Sequence, residues 1–90
     1  MSQLHVFSSL QSFQRGQVVL SQLSAEDDVL LRADALYQLL NSEDFAAGSY
    51  AVKADALARG LDPEQFPQLT WIDYEAWVGL VVKHTTSINW

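Results

Sequence analysis

Short apolar segments alternate with longer amphipathic segments along this chain. Four of the apolar segments have the length and the residue types of buried strands. They lie at Leu4–Phe7, Val29–Leu31, Tyr50–Val52 and Gln68–Ile72. Strands whose apolar residues run together in this way are typical of a parallel sheet that is covered on both faces.

Residues at helical spacing follow each predicted strand. The first helix carries an apolar stripe formed by Phe13, Val19, Leu20 and Leu23, and Gly16 weakens it. Its N-terminus has three candidate capping residues, Ser8, Ser9 and Ser12. The segment 33–40 favours a second helix with Leu36, Leu39 and Leu40 turned inward. Residues 54–59 form a third, short helix that stops at Gly60, and residues 41–48 between them form a loop.

The last helix is the least regular of these predictions. β-Branched residues in this segment would also suit a strand. Helical spacing nevertheless connects the apolar residues Tyr74, Trp77, Val78 and Val81. Asp73 is a natural N-cap, so we predict a helix from about residue 74, buried on more than one side, followed by a tail that ends in Trp90.

Alternating strands and helices predict an α/β fold. We expect one small domain over residues 1–90, with a four-stranded or five-stranded parallel sheet flanked by helices. Ligands of such sheets bind beyond the carboxyl ends of the strands.

Composition excludes several classes of function. Eleven acidic residues against five Lys and Arg give a net charge of -6, and the basic residues are scattered, so the chain lacks the cationic surface that direct nucleic-acid binding requires. It has no cysteine, which excludes disulfides, thiolate zinc sites and a thiol nucleophile, and which is compatible with the cytoplasm. No signal peptide or bilayer-spanning segment is evident. Hydrophobic residues make up 49% of the chain, more than a small monomer readily hides, so the isolated chain is expected to self-associate or to bind partners.

Acidic residues follow three of the four predicted strands. Asp34, Asp55 and Asp73 would meet at the carboxyl edge of the sheet, where a cluster of carboxylates could hold a metal or act as acid and base. The alternative is that each of them caps a helix, and capping is the better interpretation, most clearly for Asp73. The junctions have no glycine-rich loop, which disfavours nucleotide binding. We predict no cofactor and no metal.

Three aromatic residues have two interpretations each. His5, in the first strand, and His84, at the end of the last helix, could serve as catalytic bases, but no nucleophile motif accompanies them and structural roles are favoured. Trp90 gains little unless it docks, because chain ends otherwise fray. From the sequence, docking within its own domain and docking on a neighbouring subunit are equally plausible.

Segments along nearly the whole chain resemble the TusB/DsrH family of sulfur-relay subunits. The opening Leu4–Ser9 is similar to the family's Leu-His and Ser-Pro pattern, with Leu10 where proline is usual. The segment Asp28–Tyr37 is similar to a family motif that ends in Asp-Gly-Val-Tyr, with Ala35 in place of glycine.

Two further segments complete the resemblance. Tyr50–Leu61 is similar to the family pattern Tyr-Ala-Leu-x-x-Asp-x-x-Ala-Arg-Gly-Leu. The closing segment Ile72–Trp90 resembles the family's last helix, with its Trp, Lys-His and final Trp. The four segments occur in the family's order and at its spacing.

The resemblance implies a fold of the DsrE/DsrF/DsrH type and a defined assembly. It implies a dimer of heterotrimers with TusC-like and TusD-like partners, in a relay that moves persulfide sulfur towards 2-thiolation of the tRNA wobble uridine. DsrH proteins of sulfur oxidisers carry a cysteine in the first helix, but here that region is Gln17–Leu20 and has none. The resemblance therefore implies assembly, whereas it does not extend to sulfur chemistry on this subunit.

The leading hypothesis is a non-catalytic structural subunit of a TusBCD-type complex in the cytoplasm, without direct contact to nucleic acid or membrane. One alternative is a stand-alone homo-oligomeric binding module of DsrH type, and another is a small carboxylate-dependent hydrolase. The residues that we predict for a partner interface are His5, Asp34, Tyr37, His84 and Trp90.

Overall fold

A five-stranded parallel sheet organises the chain in the computed structural model, which describes residues 2–20, 26–40 and 49–90. The strands are β1 (Gln3–Phe7), β2 (Asp28–Leu31), β3 (Tyr50–Val52), β4 (Thr70–Ile72) and β5 (Thr86–Asn89). Their order across the sheet is β4-β3-β2-β1-β5, and every neighbouring pair is parallel. The α/β class and the five-stranded form of the predicted sheet are confirmed.

The helices connect these strands. They are α1 (Leu10–Leu20), α2 (Lys53–Ala58) and α3 (Tyr74–Lys83), together with 3₁₀ segments at Ala33–Leu40 and Pro63–Gln65. The predicted loop 41–48 and the residue Leu23 lie outside the described residues. None of the helices in the described part of the chain is long and apolar enough to cross a membrane.

Chain connectivity divides the helices between the two faces of the sheet. The strands β1 to β4 follow one another across the sheet, and their connections pack on one face. The chain then crosses from β4 at one edge to β5 at the other, and α3 is the element of that crossover. As a result, α3 is the one described helix on the second face.

Side-chain alternation along the strands builds two apolar layers. One layer, on the face of α1 and α2, contains Phe7, Val29, Leu31, Ala35, Leu36, Ala51, Ala56, Leu61, Phe66 and Leu69. The other layer lies under α3 and contains Leu4, Val6, Leu30, Val52, Ile72 and Leu80. The predicted inward position of Leu36 is confirmed, since it is fully buried.

Serine side chains fix the start of α1. The backbone N–H of Ser12 donates to Ser9 Oγ at 3.0 Å, and the N–H groups of Ser8 and Ser9 donate to Ser12 Oγ at 3.2 and 3.0 Å. These bonds satisfy donors that the first turn of a helix leaves free. The capping prediction for this helix is therefore confirmed.

Gly16 has a packing role that the sequence does not reveal. A Cβ at this position would lie 2.8 Å from Phe7 Cζ and 3.1 Å from Trp90 Cδ2. The interpretation of Gly16 as a weak point of the helix was incomplete, because its missing side chain allows α1 to approach β1 and the C-terminal tryptophan.

Candidate functional site

The helix α3 turns an apolar face towards solvent. Tyr74 is 52% exposed, Val78 62%, Val81 45% and Val82 79%, whereas Leu80 is buried. The prediction that this helix is buried on more than one side is therefore wrong. Its apolar stripe was correctly placed at helical spacing, but most of that stripe points away from the sheet.

An apolar groove runs along this face, between α3 and the strands β1 and β5. Its wall consists of residues of α3, and its floor is formed by Val6, Ser87 and Asn89. The groove has a volume of about 600 Å³. Among the described residues that line it, none carries a charge, so the groove suits an apolar occupant and not a charged small substrate.

Hydrogen bonds at both ends of α3 fix one wall of the groove. At its start, the N–H of Ala76 donates to Asp73 Oδ1 at 2.8 Å, which confirms the predicted cap. At its end, His84 Nε2 lies 2.7 Å from Asp28 Oδ2 at the start of β2, and Lys83 Nζ lies 3.4 Å from the same oxygen. His84 is buried, so this bond ties the crossover to the sheet through the interior.

The other side of the groove depends on the docking of Trp90. Its indole N–H donates to His5 Nδ1 at 3.1 Å, and its backbone N–H donates to Val6 O at 2.9 Å. The indole stacks on His5 and on Phe7, with ring centroids 6.0 and 6.1 Å away. Trp90 thus docks within its own domain, and this docking holds β5 against β1.

The environment of His5 favours its neutral form. Burial lowers the pKa of His5 below its ordinary value of 6.5; the charge of Asp27 opposes this shift, and the neighbouring His84 adds to it. Since Nδ1 accepts the indole N–H, the neutral ring carries its proton on Nε2. Both histidines are thus engaged in holding the C-terminal strand, as the structural interpretation of the sequence favoured.

The acidic residues at the carboxyl edge form separate structural bonds. Asp55 Oδ2 accepts the N–H of Ala33 at 2.8 Å, and its Oδ1 accepts the Tyr74 hydroxyl at 3.2 Å. Asp34 pairs with Arg59 at 3.0 Å on the surface. Among residues 2–20, 26–40 and 49–90, no group of three acidic or histidine side chains is arranged to hold a metal ion.

The bond from Asp55 supports an unusual backbone conformation. Ala33 has a φ of +50°, in the left-handed region that residues with a Cβ rarely adopt. Its N–H is held by the Asp55 carboxylate, which anchors the entry to the 3₁₀ segment. Asp55 is therefore a connecting residue between β2, α2 and the start of α3.

Arg32 links the same edge to the apolar groove. Its guanidinium donates to Ser8 Oγ at 3.3 Å and lies over the Trp77 ring, 5.0 Å from the ring centroid. A cation over an indole face is a favourable contact. It holds Trp77, a residue of α3 that lines the groove, in a fixed orientation.

Comparison with known proteins identifies the family. The sequence profile described as "DsrH like protein" matches residues 9–87. The chain is 34% identical over 80 residues to "Protein TusB" of Photorhabdus laumondii. The aligned region covers 80% of this chain and 84% of that protein. It is 29% identical over 80 residues to "Protein TusB" of Buchnera aphidicola, over 81% of this chain and 84% of the relative. The chain belongs to the DsrH family.

The family assignment confirms the resemblance found in the sequence and directs attention to interfaces. This DsrH family member has no cysteine at any of its 90 positions, so it has no thiol that could carry a persulfide. The exposed apolar residues of α3 are therefore the part of the surface whose role remains to be explained.

The structure separates the five residues that the sequence suggested for an interface. Asp34 and Tyr37 are exposed on the side of the 3₁₀ segment, with 37% of Tyr37 accessible. Trp90 is partly buried, and His5 and His84 lie in the interior of this chain. As direct partner contacts the two histidines are disfavoured, because their rings are covered by their own domain.

Sequence reasoning missed the groove itself. The signal was present, since Tyr74, Val78 and Val81 were recognised as one stripe. The stripe was assigned to the core because an apolar helix face usually packs on its own sheet. The second signal was the number of apolar residues, which exceeds what a domain of 90 residues readily buries. The exposed stripe on α3 accounts for part of that excess.

Proposed function

We propose that this DsrH family member is a non-catalytic structural subunit of a TusBCD-type sulfur-relay complex that supports 2-thiolation of the tRNA wobble uridine. The observation that carries the proposal is the family match over residues 9–87 in a chain without cysteine. Its partners are TusC-like and TusD-like subunits in a dimer of heterotrimers, and a partner supplies the sulfur-carrying cysteine. The relay operates in the cytoplasm, and this subunit does not itself contact RNA or a membrane.

The charge and surface of the subunit support this role. A net charge of -6 makes direct tRNA binding by this chain unfavourable, so the tRNA is held elsewhere in the relay. The exposed apolar face of α3 is a contiguous patch of the kind that often marks an interaction site, and it supports assembly with other subunits.

Co-expression with the two partners tests the proposal. A tag on this chain should recover both TusC-like and TusD-like subunits of the same organism. Deletion of its gene should lower the fraction of wobble uridine that is 2-thiolated, and the wild-type gene should restore that fraction. If the three subunits never co-purify, the proposal is wrong, and a homo-oligomer in their place would favour a stand-alone binding module.

The hydrolase alternative makes a different prediction. Alanine replacement of Asp34, Asp55 or Asp73 would then abolish an activity without lowering stability. Asp55 and Asp73 accept backbone hydrogen bonds that fix Ala33 and the start of α3, so we expect their replacement to lower stability first.

A further inference from the structure

We propose that the groove between α3 and β5 receives an amphipathic helix from a neighbouring subunit of the complex. This inference rests on the proposed function, because it names the surface through which the complex forms. The partner helix presents an apolar face to α3 and neutral or basic residues along its flanks.

The shape of the groove follows from the connectivity of the sheet. Helices pack side by side on each face of a sheet in this fold class, but here α3 is the one described helix on its face. Beside α3, the floor formed by Val6, Ser87 and Asn89 lies where a second helix would pack on the sheet. An incoming helix would pack against α3 and on the two strands at the same time.

The volume of the groove fits such an occupant. A helix is about 10 Å wide and rises about 1.5 Å per residue, so ten residues with half of their cross-section embedded displace roughly 600 Å³. The groove measures about 600 Å³. It therefore accommodates about three helical turns.

The exposed apolar area is sufficient for the centre of an interface. The accessible parts of Tyr74, Val78, Val81 and Val82 amount to an area on the order of 400 Å², within the range of the largest patches on monomers. A stable interface of standard size buries about 800 Å² on each partner, with an apolar centre and a polar rim. The groove supplies that centre, and the surrounding polar residues supply the rim.

Charge favours a different chain over a second copy. Two copies would each bring a net charge of -6, which gives long-range repulsion. Acidic residues, Asp73 and Glu75, stand exposed at the start of α3, whereas Lys83 at its end is already close to Asp28. A partner with basic residues beside Asp73 and Glu75 complements this rim.

Introducing a charge into the groove tests the inference in the co-expression assay. The variants are Val78→Lys and Val82→Lys, at positions that are 62% and 79% exposed. The matched control is Leu57→Lys, since Leu57 is 59% exposed on α2 and lies outside the groove. Lysine is a better helix former than valine, so the fold should persist, and circular dichroism and thermal melting check this.

We expect both groove variants to reduce recovery of the partner subunits at least tenfold, while Leu57→Lys leaves recovery unchanged. Unchanged recovery with both groove variants overturns the inference and leaves the proposed function standing. Failure of the wild-type chain to recover the partners instead overturns the proposed function and the inference with it.

Photo-crosslinking identifies the occupant. With a benzophenone amino acid in place of Val82, crosslinks to a helix of the TusC-like or TusD-like subunit support the inference. Crosslinks to a loop or strand of a partner, or to a second copy of this chain, overturn it. This measurement detects the contact in the assembled complex, and it does not use the lysine variants.

Discussion

Truncation of the Trp90 side chain should destabilise the isolated domain. In Trp90→Ala, the acceptor His5 Nδ1 is left buried without its donor, which costs about 1–3 kcal/mol. Loss of the stacked contacts to His5 and Phe7 costs about a further 0.5–1.5 kcal/mol. We expect the free energy of unfolding to fall by about 1.5–4.5 kcal/mol, the sum of these two losses.

Urea denaturation followed by circular dichroism measures this loss. For a domain of this size each kcal/mol lowers the midpoint temperature by about 4–8 °C, so the melting temperature should fall by roughly 6 °C or more. Trp90→Phe should recover part of the stability, because it keeps a stacked ring and lacks the N–H donor. Leu57→Ala, at a position 59% exposed, serves as the control and should change stability by less than about 0.5 kcal/mol.

The reasoning is refuted if Trp90→Ala loses less than about 0.5 kcal/mol, the range of ordinary surface substitutions. It is also refuted if the variant keeps its stability and loses only its partners, since Trp90 would then dock on a neighbouring subunit.

Three further predictions concern glycine packing, the protonation of His5 and the hydrogen bond of His84. Gly16→Ala should lower the melting temperature although alanine favours helices, because its Cβ would overlap the buried ring of Phe7. Gly79→Ala, with open space around its Cβ, should instead raise stability by about 0.5–1 kcal/mol. The stability that depends on neutral His5 should be complete above pH 6.5 and should decline as the pH falls below that value, because the unfolded chain takes up the proton first. Measuring the free energy of unfolding as a function of pH tests this. Asp28→Ala should cost about 1–3 kcal/mol in urea unfolding, because it removes the hydrogen-bond partner of the buried His84.

Each of these predictions has a matched comparison. Equal melting shifts for the two glycine variants would contradict the close packing of α1. His5→Asn keeps an acceptor without titrating, so a loss of stability in acid as large as that of the wild type would exclude His5 as its source. Asp34→Ala removes an exposed pair worth about 0–1 kcal/mol. A cost for Asp28→Ala no greater than this would contradict the role of the bond between His84 and Asp28.

The sequence predicted the strands of the sheet because their apolar residues form short, dense runs. Leu4–Phe7, Val29–Leu31 and Tyr50–Val52 agree with the observed strands within about one residue. From the sequence, Thr86–Asn89 is predicted as part of a tail, because its residues form no apolar run. In the structure it is a strand whose side chains are mostly exposed. It forms through backbone pairing with β1 at the edge of the sheet, and such pairing leaves little trace in the sequence.

The orientation of α3 could not be predicted for a related reason. Periodicity identifies which residues share a helix face, but it does not say whether that face meets the chain's own sheet or another chain. Deciding this for Val78 and Val82 requires the strand order, in which one crossover places α3 as the one described helix on the second face. The role of Gly16 depends likewise on Trp90, a residue far away in the sequence.

Native mass spectrometry of the three co-expressed subunits tests the central claim most directly. The account predicts a particle with two copies each of this chain, the TusC-like subunit and the TusD-like subunit. In the same particle, labelled persulfide sulfur should be found on a partner and never on this chain. A spectrum that contains this chain only as a monomer or homo-oligomer, beside a complete complex of the other two, would contradict the account.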